Sequence, residues 1–136
     1  MVVHKALRWL VIPLSYLALA GSGTASEVDG LWRVRDLVLI IYDCQAAVCG
    51  KIVWIDDPVR RRSQCGRVIV WGLAHEGPSK WGGGYILDPD DEKTYRLAAL
   101  YELGNTLRAR IYKGIPLLGK TEVLQRVDPN GMTGRC

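Results

Sequence analysis

The segment Trp81–Leu103 constrains the fold most, because it holds the turn and the side-chain alternation of a β-hairpin, which a third strand at Thr106–Lys113 then extends. The hairpin turn, Asp88–Glu92, contains a proline that fixes φ and aspartates that can hydrogen-bond to their own backbone. After this turn, residues at every second position share one apolar face, namely Tyr95, Leu97, Ala99, Tyr101 and Leu103. Gly104-Asn105 then suits a two-residue hairpin turn, after which the chain returns. The segment therefore predicts an antiparallel meander.

The rest of the chain from Glu27 onwards continues this pattern of short apolar runs separated by turns. We predict about eight strands, at Gly30–Arg35, Leu37–Asp43, Cys49–Asp57, Gly66–Ala74, Trp81–Leu87, Lys93–Leu103, Thr106–Lys113 and Leu118–Val127. No amphipathic helix pattern and no repeat of 20–50 residues is visible there. Closing such a sheet removes its exposed edges, so we expect an all-β, small antiparallel up-and-down β-barrel. An open sandwich is the alternative architecture.

Residues 1–26 have the pattern of a cleavable signal peptide. Lys5 and Arg8 form a basic start, Trp9–Ala20 forms an apolar stretch, and small residues follow. An uncleaved membrane anchor is the alternative, but spanning a bilayer takes roughly 20 apolar residues and this stretch is shorter. We therefore expect an exported protein, periplasmic or secreted, in which residues 27–136 form a single domain.

The net charge excludes one class of partner. The chain has 18 Lys and Arg residues and 14 Asp and Glu residues. Loss of Lys5 and Arg8 with the leader leaves 16 against 14, a formal charge of +2. This balance is not a nucleic-acid footprint. We expect a monomer that meets a membrane only transiently, through its signal peptide.

Four cysteines follow the leader, an even number that in an oxidising compartment predicts disulfides. Three pairings are possible. We favour Cys44–Cys49, which flank a tight bend, together with Cys65–Cys136, which would tie down the chain terminus. A zinc site is the alternative, but it usually also needs histidine.

No catalytic constellation is visible. Once His4 is lost with the leader, His75 is the single histidine, and it lies beside a turn. Asp56-Asp57 and the run Arg60–Arg62 are expected to face water. The glycines Gly82–Gly84 lack the Lys-Ser/Thr of a phosphate loop and predict a bulge or a sharp bend. We therefore predict a protein that is not an enzyme and has neither a cofactor nor a metal.

Five motifs in order resemble a bacterial family of exported proteins, the domain-of-unknown-function family 2147. They are Gly30-x-Trp32, Cys44…Cys49-Gly50, Gly83-Gly84-Tyr85 followed by Asp88-Pro89, Lys93-Thr94-Tyr95, and Gly119-Lys120-Thr121…Arg126. The resemblance covers residues 29–127 and implies a lipocalin-like barrel without an established activity. This chain departs from the family pattern at Glu92, where glycine is usual, and in a shortened segment 56–64.

The lipocalin likeness also implies a packed barrel end. Gly30 and Trp32 in the first strand, and Arg126 in the last, stand where lipocalins stack a guanidinium on an indole. Closure would make these strands neighbours. An ordinary core tryptophan and a solvated arginine are the alternative.

The inward-facing bulk predicts a mostly filled interior. Trp32, Trp54, Trp71, Tyr95 and Tyr101 could all face inward, whereas Ala99, Ala109 and Gly82–Gly84 would leave space near one end. We predict a shallow pocket beside Trp81 and Tyr85, with a cavity below about 300 Å³. The candidate rim or ligand site is Trp81, Gly83, Gly84, Tyr85, Lys93 and Tyr95.

Two function classes follow from these features. The first is a non-enzymatic binding module of the cell envelope that holds a small apolar ligand. The second is a protein-interaction module that binds an envelope protein, for example as a periplasmic protease inhibitor.

Overall fold

The computed structural model describes residues 28–136, so the predicted signal peptide lies outside the described residues. Eight strands form one closed barrel in which each strand pairs antiparallel with the next, and β8 pairs back to β1. The strands are β1 Gly30–Val34, β2 Leu37–Cys44, β3 Ala47–Ile55, β4 Val68–Gly77, β5 Lys80–Asp88, β6 Lys93–Leu103, β7 Thr106–Tyr112 and β8 Lys120–Val127. The predicted eight-stranded barrel is confirmed.

This topology gives the barrel two distinct ends. The connections β1–β2, β3–β4, β5–β6 and β7–β8 all lie at one end, which we call the open end. Residues 28–29 and the connections β2–β3, β4–β5 and β6–β7 lie at the other, which we call the closed end. The two ends differ in the kinds of side chain that close them.

The interior is a single apolar core to which every strand contributes. Its largest fully buried side chains include Trp32, Ile52, Leu73, Leu97 and Leu107. They come from five different strands, as expected when alternate residues of each strand point inward.

Three aromatic residues that could face inward lie on the outside instead. Trp54 belongs to an outer cluster with Leu31 and Val38, because a bulge at Val38/Leu39 shifts the register of β3. Trp71 stacks on Tyr85, with ring centroids 5.8 Å apart. Tyr101 is exposed beside Lys80. The interior therefore holds less aromatic bulk than the alternation predicts.

The glycine run leaves no space in the barrel, contrary to expectation. A Cβ on Gly84 would lie 2.8 Å from the Leu73 side chain, and one on Gly82 would lie 2.5 Å from the Glu76 carboxylate. Gly83 has a φ of 71°, a left-handed value that side chains rarely adopt. The backbone of β5 is thus irregular at Gly83, and the side chains of Leu73 and Glu76 cover Gly84 and Gly82.

One short helix, α1 (Pro58–Gln64), stands where the sequence predicts a loop. Asp57 caps it by accepting hydrogen bonds from Val59 N at 2.8 Å and Arg60 N at 3.2 Å. Pro58 occupies the first turn, where its missing N–H costs nothing. Seven residues are too few to show a helical period, so only the Asp-Pro cap signals the helix in the sequence.

The C-terminal tail covers the outside of the barrel at β1–β3. A 3₁₀ turn, Pro129–Gly131, leads Met132 onto an outer apolar cluster that contains Leu31 and Val53. The Cys136 N–H then donates to Val53 O at 3.0 Å. The tail thus covers apolar side chains on the outer face of β1–β3, which the inner core does not bury.

Both predicted disulfides are present. Cys44–Cys49 clips the β2–β3 hairpin at the closed end, with a Cα separation of 5.8 Å. Cys65–Cys136 joins the residue after α1 to the end of the tail, with a Cα separation of 6.0 Å. No group of three or more His, Cys, Asp or Glu residues within 28–136 is placed to hold a metal ion. In the same range, no helix is both long and apolar enough to cross a bilayer.

Candidate functional site

The candidate site is a cavity of about 110 Å³ that lies inside the barrel at its open end. Its walls are aliphatic side chains from seven strands, all but β3, and include Leu39, Val70, Leu97, Ala109 and Leu124. The small side chain of Ala109 on β7, which pairs with Leu100 on β6, contributes to this space. The walls can therefore accept an apolar group but offer it little polar contact.

Arg60 spans the mouth of this cavity. Its guanidinium reaches from α1 to Asp36 in the β1–β2 turn and to Asp90 in the β5–β6 turn. These turns belong to opposite sides of the barrel, so one side chain ties them together across the opening. Burial lowers the pKa of Arg60, but the two carboxylates raise it more, and the net pKa lies above the ordinary value.

A second group of charges lies on the rim at β8. Glu122 forms ion pairs with Arg35 of the β1–β2 turn and with Lys120 of its own strand, the latter at 3.3 Å. Two cations therefore share one carboxylate. All three side chains line the cavity, so the mouth is polar where the walls are not.

Tyr95 forms the boundary between wall and rim. The side chain lines the cavity, and its hydroxyl donates to Asp91 Oδ2 at 2.5 Å. This hydrogen bond raises the pKa of Tyr95 and lowers the pKa of Asp91. The phenol is thus neutral and fixed at the mouth.

Three more carboxyl groups near the open end have lowered pKa values. The Trp54 indole N–H lowers the pKa of Asp56, backbone N–H groups of α1 lower that of Asp57, and the Arg67 guanidinium lowers that of Glu92. Asp56 thus accepts a hydrogen bond from Trp54, and Asp57 caps α1. Glu92 also has a φ of 59°, a left-handed value that favours glycine.

At the closed end, the structure brings the predicted packing residues together. The Trp32 ring is fully buried, and the Arg126 guanidinium lies 4.1 Å from its centroid. Trp32 Nε1 donates to Val28 O at 2.8 Å, and Arg126 Nη1 donates to Asp29 O at 3.1 Å. A Cβ on Gly30 would lie 3.1 Å from Arg126 Nη1, so glycine lets the guanidinium approach. This end is filled by protein side chains.

The six residues of the predicted rim site do not come together. Trp81 is buried in the core and contacts His75 edge to face. Gly83 and Gly84 lie in the middle of β5, and Tyr85 lies outside under Arg96. Lys93 begins β6 at the open end and is exposed, and Tyr95 alone of the six lines the cavity. The predicted volume limit agrees with the structure, but the predicted place is wrong.

The sequence reasoning missed Arg35, Asp36, Arg60, Asp90 and Glu122. The sequence did contain a signal for this cluster of charges. In an up-and-down barrel, the connections that lead from an odd-numbered strand to the next strand all lie at one end. Charged residues in the β1–β2, β3–β4 and β5–β6 connections would then be neighbours. Which of them pair could not be deduced, because pairing depends on the path of α1 across the opening.

Comparison with known proteins agrees with this fold. The solved structure of protein HP1028 from the human pathogen Helicobacter pylori, described as belonging to the lipocalin family, is similar with a TM-score of 0.65. The match covers 77% of this chain and 86% of that chain at 16% identity, which establishes likeness of fold alone. No curated protein matches this sequence. The model of the family described as "Uncharacterized protein conserved in bacteria (DUF2147)" matches residues 30–126, and the chain belongs to this family.

Proposed function

We propose that this protein is an exported, non-enzymatic binding module of the bacterial cell envelope, which holds the apolar end of a small ligand in the open end of its barrel. The observation that carries the proposal is an aliphatic cavity that opens through a charged rim. An apolar ligand group leaves water on entering the cavity, while its polar end meets the rim.

The cavity volume sets the size of the ligand. An engineered apolar cavity of about 150 Å³ binds benzene, and drug-sized ligands need about 300 Å³ or more. A volume of about 110 Å³ suits a short alkyl chain or a single ring. Retinoids and long-chain fatty acids exceed this space, so the protein is not a carrier of such cargo.

The charges at the mouth support binding without catalysis. Asp36, Asp90 and Glu122 are engaged by arginine or lysine, and Asp88 accepts the Asp90 N–H at 2.8 Å. Because these acids are engaged in ion pairs and turn contacts, they are suited to orienting a ligand. The imidazole of His75 lies against Trp81 and does not line the cavity.

Export is supported by the basic and apolar pattern of residues 1–26 and by the two disulfides, which form and persist in oxidising compartments. Native mass spectrometry of the protein from periplasmic extract tests this part. A mass that begins near Glu27 with both disulfides is expected. A reduced protein in the cytosol that retains residues 1–26 would contradict export.

Binding is tested with n-hexanol, n-hexanoate and n-hexylamine, which share one tail and differ in the charge of the head. Methyl NMR signals of Leu97 and Ala109 should shift on titration. Ala109→Leu fills the cavity and should weaken binding at least about tenfold, since the tail then stays in water. Ala74→Leu is the matched control, because Ala74 is exposed on the outside of β4. If none of the three probes binds, or if Ala109→Leu binds as well as the native chain, the proposal fails.

A further inference from the structure

A second feature of the open end, separate from the cavity, is an exposed apolar loop between β7 and β8, which we call the 113–120 loop. It contains Ile115, Leu117 and Leu118, whose exposed fractions are 55%, 86% and 75%. Single exposed aliphatic residues are ordinary on a protein surface, but three at one tip are a contiguous patch. They lie beside the mouth, because Ile111 and Lys120 on either side of the loop line the cavity.

The base of this loop keeps the tip outside the barrel. A Cβ on Gly119 would lie 2.5 Å from Ile111 O and 3.0 Å from Tyr112 Cβ, so the chain packs tightly against β7 there. The Leu118 N–H donates to Ile115 O at 3.1 Å and closes a 3₁₀ turn. The tip is therefore a small convex turn anchored at its base.

The charged residues on either side of the tip are both positive. Lys113 precedes it, Lys120 follows it, and no acidic residue stands between them. Lys113 lies 6.0 Å from the Tyr95 ring centroid, and its charge helps to lower the pKa of Asp91. Lys120 and Arg35 share Glu122, a trio with a net charge of +1.

Chemistry favours a lipid surface over a protein as the partner of this tip. Protein interfaces depend on aromatic and arginine anchors in shaped pockets, and leucine is under-represented among their hot spots. A bilayer interface accepts aliphatic side chains without shape complementarity, and anionic headgroups attract flanking lysines. An aliphatic convex tip between two lysines matches the second description.

We propose that the 113–120 loop inserts Ile115, Leu117 and Leu118 into the interface of an anionic membrane and so sets the mouth of the barrel against the lipid. The exposed Val59 on α1 lies at the same end and adds to the contact. The carboxylates of the β5–β6 turn are already bound by Arg60, Arg67 and Tyr95. The electrostatic contribution to membrane binding is therefore modest, and burial of the apolar tip contributes most of the binding free energy. This contact is separate from the transient one that the sequence predicts for the signal peptide.

The test is flotation of the disulfide-bonded mature protein with vesicles of phosphatidylethanolamine and phosphatidylglycerol. The native protein should float, and Leu117→Ser with Leu118→Ser should lose about tenfold to a hundredfold in partitioning. The matched control is Leu103→Ser with Val123→Ser, because these residues are 56% and 45% exposed and lie away from the loop. The control should float like the native protein.

Lys113→Gln provides a second readout, since it should weaken flotation about fivefold on anionic vesicles and leave binding to phosphatidylcholine vesicles unchanged. Ala109→Leu should float normally, which separates this inference from the cavity proposal. The inference is overturned if the native protein does not float, if the tip variant floats as well as the native protein, or if both double variants lose binding equally. A tip that binds an envelope protein but no vesicle would also overturn it.

Discussion

The two ends of the barrel close by opposite means. The closed end is filled by Trp32, over which Arg126 stacks, and its polar atoms bond to the backbone of residues 28 and 29. The open end is bridged by Arg60 and by partly exposed ion pairs around a cavity. Buried aromatic bulk contributes several kcal/mol, whereas a solvent-exposed ion pair contributes about 0–1 kcal/mol. One end is therefore built for stability, and the other keeps an apolar cavity at little energetic gain.

Trp32→Ala should cause the largest loss of stability at the closed end. The indole is fully buried, and removing it leaves a cavity that the barrel cannot collapse around, at a cost of about 3–5 kcal/mol in the free energy of unfolding. Urea unfolding at neutral pH measures the loss. Trp71→Ala is the control, because Trp71 lies on the outer surface, and it should cost much less. Equal losses for the two variants would show that Trp32 has no special role.

The two disulfides allow a further comparison of the two ends of the barrel, because each disulfide constrains a different end. Cys44–Cys49 closes a separation of 5 residues at the closed end, and Cys65–Cys136 closes one of 71 residues from the end of α1. The chain-entropy relation predicts losses of about 2 kcal/mol and about 4 kcal/mol for the respective double Cys→Ser variants. Thermal or urea unfolding ranks them. The reverse order would mean that the tail contributes little to the stability of the barrel.

Gly30→Ala tests how tightly the closed end is packed. The residue has a φ of 124°, and a Cβ would meet Arg126 Nη1 at 3.1 Å, so a loss of about 2–3 kcal/mol is expected. Gly114→Ala is the control, since its φ is 82° but no atom lies within 4 Å of its Cβ position. The control carries backbone strain alone, at about 1 kcal/mol. Matching losses would show that the contact with Arg126 costs nothing.

Acid should loosen the open end through small contributions from several groups. Asp56, Asp57, Asp91 and Glu92 have folded-state pKa values below their unfolded values. Such groups add stability above about pH 5 and lose it as the pH falls through their lowered pKa values, below about pH 4. NMR spectra should show α1 and the β5–β6 turn changing between pH 4 and pH 2. An earlier change at Trp32 and Arg126 would contradict the assignment.

Much of the fold could be predicted because strand signals are local. The alternation from Tyr95 onwards and the turns at Asp88–Glu92 and Gly104-Asn105 recur in β5, β6 and β7 of the structure. Glycine and proline act through their own backbone angles, and so a single sequence reveals them. The cysteine pairing also followed from local spacing and from the even count of four.

The candidate site could be predicted only in part, and the errors have one physical cause. A strand with strict period two would point Trp54, Trp71 and Tyr101 inward with Tyr95. Bulges at Val38/Leu39 and elsewhere shift the register, so three of these four rings lie outside. A shift of one residue exchanges the two faces of a strand, and nothing local in the sequence announces it.

The sequence by itself determined the number of strands, their turns, the disulfide partners and the likeness to a lipocalin barrel. The tertiary structure decided where the empty space lies, because that depends on which side chains cover the glycines of β5 and which charge crosses the opening. Leu73 and Glu76 fill the place where the sequence suggested a pocket, and Arg60 reaches two turns that are 24 and 30 residues away along the chain. Such contacts arise only when the barrel closes, because closure brings distant turns together at one end.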